Sequence, residues 1–205
     1  MKIGIINYGR SNIGSVRSAL RFYNFDTCDI KEASDLRTAD ILVLAGVGNF
    51  AAAHSKLTTL GFWDALDRAV MAENTPILGI CLGMQMFFEK SFENGEHSGF
   101  GWIAGEVKKI EAPLLKIPHI GWDAVVPSQQ GDRLFSQIKF NYYYFMHSYH
   151  CIPKNPGDIA ATTDYSGFRF VSAVRKDTIV GVQFHPEKSQ IDGLRLLKNF
   201  VEMVS

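Results

Sequence analysis

Thr75-Pro76-Ile77-Leu78-Gly79-Ile80-Cys81-Leu82-Gly83-Met84-Gln85 is the stretch on which the reading of this chain turns. Residues 76–80 form a short apolar run with no polar alternation, the pattern of a strand buried on both faces. The run stops at Cys81, and the residues after it predict a helix over 82–88. Gly79 and Gly83 stand two residues before and two after the cysteine. That frame lets a strand turn sharply into a helix, because a Cβ at either position would crowd the bend. The bend lifts the side chain at its apex above the sheet edge. A cysteine there lies at a helix N-terminus, where free N–H groups and the helix dipole favour the thiolate. The N–H of Leu82 is placed to stabilise an oxyanion. A lone cysteine is more commonly a buried packing residue. The glycine frame after an apolar strand makes Cys81 a candidate nucleophile instead.

Working outward, residues 2–7 predict a buried strand ended by Tyr8-Gly9. Residues 15–23 predict a helix with Val16, Leu20 and Tyr23 on one face, and 26–30 a second strand. Residues 41–44 are an apolar run that stops at Ala45-Gly46-Val47-Gly48. Residues 62–72 predict a helix carrying Trp63, Leu66, Ala69 and Val70 at helical spacing. This alternation indicates an α/β fold with a central, mostly parallel sheet flanked by helices. Between residues 99 and 184 short β-type segments take over, at 105–110, 142–146, 171–175 and 178–184. Turn signals fall at Pro127, Gly131, Asn155-Pro156-Gly157 and Lys176-Asp177. An additional antiparallel β portion is therefore expected in the second half. A helix over 193–204 closes the chain. Neither a repeat nor a low-complexity linker is evident, so residues 1–205 read as one domain.

The strand candidate 179–184 runs into His185-Pro186-Glu187. Pro186 biases His185 to extended geometry, and residues two apart on an extended chain point to the same side. Glu187 can then accept from one ring nitrogen of His185 and raise the basicity of the other. With Cys81 elsewhere in the chain, His185 becomes the candidate base and Glu187 its orienting acid. Both groups follow apolar strands, where sites of open α/β sheets form. The Gly46-Val47-Gly48 loop lacks the spacings of phosphate-binding loops. It fits better as a source of a backbone N–H for an oxyanion hole, with glycines that let the peptide reorient. His54 and His97 sit in polar stretches and read as solvated. His119, His147 and His150 lie near β segments and read as structural, and no metal site is expected.

Lys plus Arg and Asp plus Glu both number 21 in the 205 residues, so the net charge is zero. Without a basic tract, nucleic acid is a poor partner. The three cysteines, Cys28, Cys81 and Cys151, are widely spaced, which indicates free thiols in a reducing compartment. The N-terminus lacks signal-peptide organisation, and no apolar stretch nears the ~18 residues of a membrane helix. A soluble, cytoplasmic protein with no membrane partner is expected.

Residues 79–85 (GICLGMQ) and 181–189 (GVQFHPEKS) resemble the class I, or triad, glutamine amidotransferases. Residues 116–122 (KIPHIGW), 144–149 (YFMHSY), 8–16 (YGRSNIGSV) and 170–177 (FVSAVRKD) are similar to the glutaminase subunits of imidazole glycerol phosphate synthases. The resemblance implies a flavodoxin-like fold and hydrolysis of L-glutamine without a cofactor. It implies that Cys81 attacks the glutamine amide, that His185 shuttles the proton and that Glu187 orients His185. Leu82 and the Val47–Gly48 peptide would form the oxyanion hole. Gly48, Gln85, His147, Ser148 and Tyr149 match positions lining the glutamine pocket. The implied partner is a (β/α)8-barrel cyclase that receives the ammonia, with Asn12, Trp122 and Lys188 at the interface. The chain departs from the family pattern at Asn7, Ser11, Ala45 (usually Pro), Ala104 (usually Pro) and Asp123 (usually Asn). These departures leave two pathways open: histidine biosynthesis, or a paralogous route supplying ammonia for an amidino-sugar of surface polysaccharide. A stand-alone cysteine hydrolase and a non-catalytic scaffold are the other readings; the first does not account for the partner-face segments, nor the second for an intact triad.

Overall fold

The computed structural model describes residues 1–9 and 12–205; Ser11, one of the departures, lies outside them. The first part of the chain alternates: β1 (Lys2–Ile6), α1 (Ile13–Arg21), β2 (Asp26–Ile30), β3 (Ile41–Gly46), α2 (Phe50–Thr59), α3 (Phe62–Asp67), β4 (Ile77–Cys81) and α4 (Leu82–Met86). Strands then dominate: β5 (Phe88–Ser91), β6 (His97–Ser98), β7 (Ile103–Lys109), β8 (His119–Ala124), β9 (Val126–Pro127) and β10 (Tyr142–His147). After these come β11 (Tyr149–Pro153), β12 (Ile159–Tyr165), β13 (Phe168–Lys176), β14 (Ile179–Val182) and the closing helix α5 (Gln190–Val204).

The large sheet runs in the order β2-β1-β3-β4-β14-β13-β11-β7-β5-β6, with β12 on β13 and β9 on β12. From β2 to β14 every pairing is parallel. From β14 through β13 and β11 to β7 every pairing is antiparallel. A separate antiparallel ribbon joins β8 to β10. This is the mixed α/β architecture expected, with β1–β4 parallel, the antiparallel strands following, and β14 returning to pair parallel with β4.

Two apolar layers explain why the parallel strands read as unbroken hydrophobic runs. Ile41, Val43, Leu78, Ile80, Val180 and Val182 face one layer, covered by Val16 and Leu20 of α1 and Leu196 and Phe200 of α5. Leu42, Leu44, Ile77 and Ile179 face the other, covered by Phe50, Leu57, Phe62 and Leu66 of α2 and α3. A strand buried on both faces has no solvent side on which to place polar residues.

The elements differ from the sequence reading in several places. Helix α2 was not expected; Asn49 caps it, its side chain accepting from Ala52 N at 3.0 Å. The helix expected over 62–72 holds α-geometry to Asp67 and then widens into a π-turn over Arg68–Ala72. Helix α4 stops at Met86 rather than at residue 88, because fully buried Phe88 opens β5 and pairs with Ile103. Among the described residues, no helix is long and apolar enough to cross a membrane.

Candidate active site

Strand β4 lies between β3 and β14, with Ala45 opposite Ile80, Gly46 opposite Cys81 and Val182 opposite Ile80. Strand β3 thus runs two residues beyond its predicted end, and Ala45 sits inside the pairing where a proline would remove a backbone donor. Cys81 takes φ 55° and ψ −108°, a left-handed conformation that costs a non-glycine residue about 1–3 kcal/mol. The flanking glycines make the bend possible. A Cβ on Gly79 would come within 2.6 Å of the Phe87 ring, and one on Gly83 within 1.8 Å of the Leu44 carbonyl oxygen.

His185 follows β14 in extended conformation, its N–H donating to the Tyr144 carbonyl at 2.8 Å. Its Nδ1 lies 2.9 Å from Glu187 Oε1, and both side chains are 1% exposed. Its Nε2 is buried and, among the described residues, has no conventional hydrogen-bond partner, which leaves that nitrogen for the thiol. Burial pulls the His185 pKa down, but the Cys81 thiol and then Glu187 outweigh it and raise it to about 10. A ring held so basic by an adjacent sulfur and a carboxylate is an imidazolium at neutral pH, the partner a thiolate needs. Helix α4 has only five residues, so its dipole contributes less than the sequence reading supposed.

Cys81 opens onto a cavity of about 260 Å³ with Val47, Gly48, Leu82, Gln85, His147, Ser148 and Tyr149 on its walls. These are the residues expected there from the sequence. Gln85 is itself fixed: its Nε2 donates to the Tyr149 carbonyl at 3.2 Å and to Gln183 Oε1 at 3.0 Å. Burial lowers the His147 pKa to about 3, so that ring is neutral, and Nδ1 meets the Tyr149 carbonyl at 2.8 Å. Gly48 holds φ 100°, a backbone that glycine adopts without strain.

Sequence reasoning missed two residues here. Gln183 is fully buried, and its Nε2 lies 3.6 Å from the Cys81 sulfur. The signal was its place two residues before His185 on an extended chain, which turns both toward the nucleophile. Glu93 lines the same cavity, and its Oε2 accepts from Phe50 N at the start of α2. Nothing local in the sequence marks it.

Trp122, Lys188 and Asn12 lie near the His185–Glu187 pair. Trp122 is 37% exposed and meets the Tyr144 ring edge-on at 6.2 Å. Lys188 Nζ lies 5.6 Å over that same ring. Asn12 begins α1, accepts from Ser15 Oγ at 3.0 Å, and shares a surface cavity with Glu187. His54 is not simply solvated, as expected, but half-buried against Trp63 with its pKa lowered, first by burial and then by His97.

The family described as Glutamine amidotransferase class-I matches residues 5–204. A relative from Aquifex aeolicus, named imidazole glycerol phosphate synthase subunit HisH, is 42% identical over 98% of this chain and 96% of its own. The subunit of the same name from Pyrococcus furiosus is 42% identical over 97% of each chain. Among solved structures, a glutamine amidotransferase superposes with a TM-score of 0.77 at 14% identity, covering 98% of both chains. PurLQS from Thermotoga maritima superposes at 0.74 with 15% identity, covering 100% of this chain and 99% of that one. At such identities these structures speak for the fold alone, whereas the sequence relatives speak for descent. The chain belongs to the class-I glutamine amidotransferase family, in the branch of the HisH subunits of imidazole glycerol phosphate synthase.

Proposed function

We propose that this chain, acting as one domain over residues 1–205, hydrolyses the side-chain amide of L-glutamine and supplies ammonia to a partner subunit in histidine biosynthesis. The observation that carries the reading is the pairing of a left-handed cysteine on a strand-to-helix bend with a buried His185–Glu187 couple. The Cys81 sulfur attacks the amide carbon, and the N–H of Leu82 and the Val47–Gly48 peptide take the charge that grows on the oxygen. The tetrahedral adduct collapses as the His185 imidazolium protonates the leaving nitrogen. That step releases ammonia and leaves a glutamyl thioester. Neutral His185 then takes a proton from water, which attacks the thioester and returns glutamate and the thiol. Glu187 holds the ring orientation throughout and supports its positive charge whenever the ring is protonated. The Glu93 carboxylate on the cavity wall suits the substrate's ammonium group, while Gln85, His147, Ser148 and Tyr149 shape the pocket.

The partner is a (β/α)8-barrel cyclase that combines the ammonia with a phosphorylated ribonucleotide imine, giving imidazole glycerol phosphate and AICAR. Asn12, Trp122 and Lys188 contact it. An exposed apolar group beside them, with Trp122, Phe140, Tyr142 and Ile191 all 37–65% exposed, favours a protein contact on that face. The enzyme acts in the cytoplasm. The shared name of relatives about 40% identical over their full lengths favours histidine biosynthesis over the amidino-sugar route. Co-expression with a barrel cyclase in a histidine auxotroph lacking its own glutaminase subunit tests the proposal. Growth without histidine or added ammonia is expected, and Cys81→Ala should abolish it. Failure to grow with both proteins soluble would refute the pathway.

A further inference from the structure

Three short polar contacts run in series behind the glutamine pocket. Asp123 Oδ2 lies 2.8 Å from His119 Nε2. His119 Nδ1 lies 3.1 Å from His147 Nε2. His147 Nδ1 lies 2.8 Å from the Tyr149 carbonyl oxygen. The ribbon register makes the series possible, since His119 on β8 stands opposite His147 on β10. His119 is 1% exposed and stacks on Tyr165 and Phe145, at 4.1 Å and 5.0 Å between ring centroids.

The two ends of this series, a carbonyl and a carboxylate, only accept. Three contacts therefore need three protons, and two neutral imidazoles carry two. If His147 donates to Tyr149 and His119 donates to His147, His119 Nε2 turns a lone pair on the carboxylate. If His119 donates to Asp123 instead, two ring lone pairs face each other at 3.1 Å. If both rings donate toward Asp123, His147 Nδ1 turns a lone pair on the Tyr149 carbonyl. Every neutral arrangement leaves one contact repulsive. A third proton on His119 removes the repulsion, because both of its nitrogens then donate, one to a carboxylate and one to His147.

We propose that Asp123 and His119 are positioning residues for glutamine: a proton shared by this pair closes the series and fixes the pocket wall over residues 146–149 against Cys81. The wall is in contact with the chemistry. The Cys81 thiol lies 3.9 Å from the Met146 carbonyl, and His147, Ser148 and Tyr149 line the cavity. The inference rests on the glutaminase reading for the identity of its ligand. Burial lowers the His119 pKa below its ordinary value and Asp123 opposes this only in part, so the shared proton is held at mildly acidic pH and lost as the pH rises. The charges of His119, His150 and His185 all oppose a proton on His147, which leaves His119 as the ring that takes it. Tyr165 is also in contact, and its hydroxyl donates to the Lys116 carbonyl. An amide at position 123 would donate to His119 Nε2 and complete the series with neutral rings. The aspartate at this position, a departure noted in the sequence, is therefore what makes the wall depend on a proton.

The test compares Cys81→Ala with Cys81→Ala/Asp123→Asn by calorimetric glutamine binding across about pH 5.5 to about 8.5, with 15N-histidine spectra of both full-length proteins. In the first, affinity should fall about tenfold as the pH rises, the loss of one charged hydrogen bond, while His119 goes from two protonated nitrogens to one. In the second, affinity should vary by less than about twofold, and His119 should hold a single proton throughout. Equal pH profiles in the two proteins would overturn the proposal. So would a His119 ring with one proton at every pH in the aspartate protein. If neither protein binds glutamine, the glutaminase reading has failed instead, and the ring spectra still decide the proton count.

Discussion

Replacing Gly83 by alanine tests whether the bend under Cys81 is as tight as the structure makes it. The added Cβ would sit 1.8 Å from the Leu44 carbonyl oxygen and 2.9 Å from its carbon, both backbone atoms of a fully buried strand. Ordinary contact begins at 3.4 Å, so α4 and β3 must part by about 1.6 Å, the difference between 3.4 and 1.8 Å. Strand β3 is paired on both sides, by β1 and β4, and cannot yield alone. Overpacking of this kind costs about 3 kcal/mol, which lowers Tm by about 6–12 °C in a chain of this size. The same displacement falls on Leu82 and Cys81, where misplacement by about 1 Å can cost a hundredfold in rate. Gly14, with nothing among the described residues within 4 Å of an added Cβ, is the control: Gly14→Ala in α1 should be neutral or stabilise by up to about 1 kcal/mol. Thermal melts by circular dichroism and glutamate release at saturating glutamine read both effects. A Gly83→Ala protein that melts within about 2 °C of wild type and keeps its turnover would refute the elbow geometry.

The other expectations concern the pair beside the bend and the exposed face. An electrophilic glutamine analogue should label Cys81 and spare Cys28 and Cys151, since burial holds the Cys151 pKa well above its ordinary value; peptide mass spectrometry reads the sites. Because the His185 pKa is raised to about 10, its imidazolium is present at neutral pH and is lost as the pH climbs through that value. Glu187→Gln removes one of the contacts that raise it, so the alkaline limb of the rate profile should move to lower pH and kcat should drop about a hundredfold; an unmoved limb would count against the pairing. Trp122→Ala should weaken partner binding about tenfold or more and leave the melting temperature of the isolated chain little changed; binding isotherms with the proposed barrel partner measure it.

What could be read from the sequence was what is local. The apolar run 76–80 and the glycines framing Cys81 lie together, and their physics is complete within eleven residues. His185 and Glu187 are two apart on an extended chain, so their meeting needed no knowledge of the fold. The end of α4 was not legible, because Phe88 leaves the helix for a reason far away in sequence. Gly99 approaches so closely that a Cβ there would lie 2.0 Å from the Phe88 carbonyl oxygen, and Ile103 pairs beside it. Helix α2 did carry signals, an Asn49 cap and Phe50, Ala53 and Leu57 on one face, but alanines and threonines make that periodicity faint. The His119–His147 contact was beyond reach, since the two rings are 28 residues apart and meet only through the β8–β10 register.

The division of labour between the two halves of the sheet follows from this. The parallel half can present a nucleophile, because strand ends at one edge expose whatever follows them. It cannot by itself wall a pocket, since its faces are sealed by helices. The wall must come from strands free to leave the sheet. Strand β10 does so: among the described residues it pairs with β8 alone, carries Met146 to the sulfur and His147 to the cavity wall, and returns through Ser148 to β11 in the main sheet. Its other side also bears on the base, since the Tyr144 carbonyl accepts from His185 N, and Trp122 and Lys188 both rest on the Tyr144 ring. One ribbon thus touches the substrate wall, the base and the exposed aromatic face. A force applied at Trp122 reaches His185 through a single residue, whereas reaching Cys81 through the buried parallel strands would require moving a packed core. Any partner that tunes this enzyme has its shortest mechanical route through β8 and β10, with the nucleophile as the fixed point.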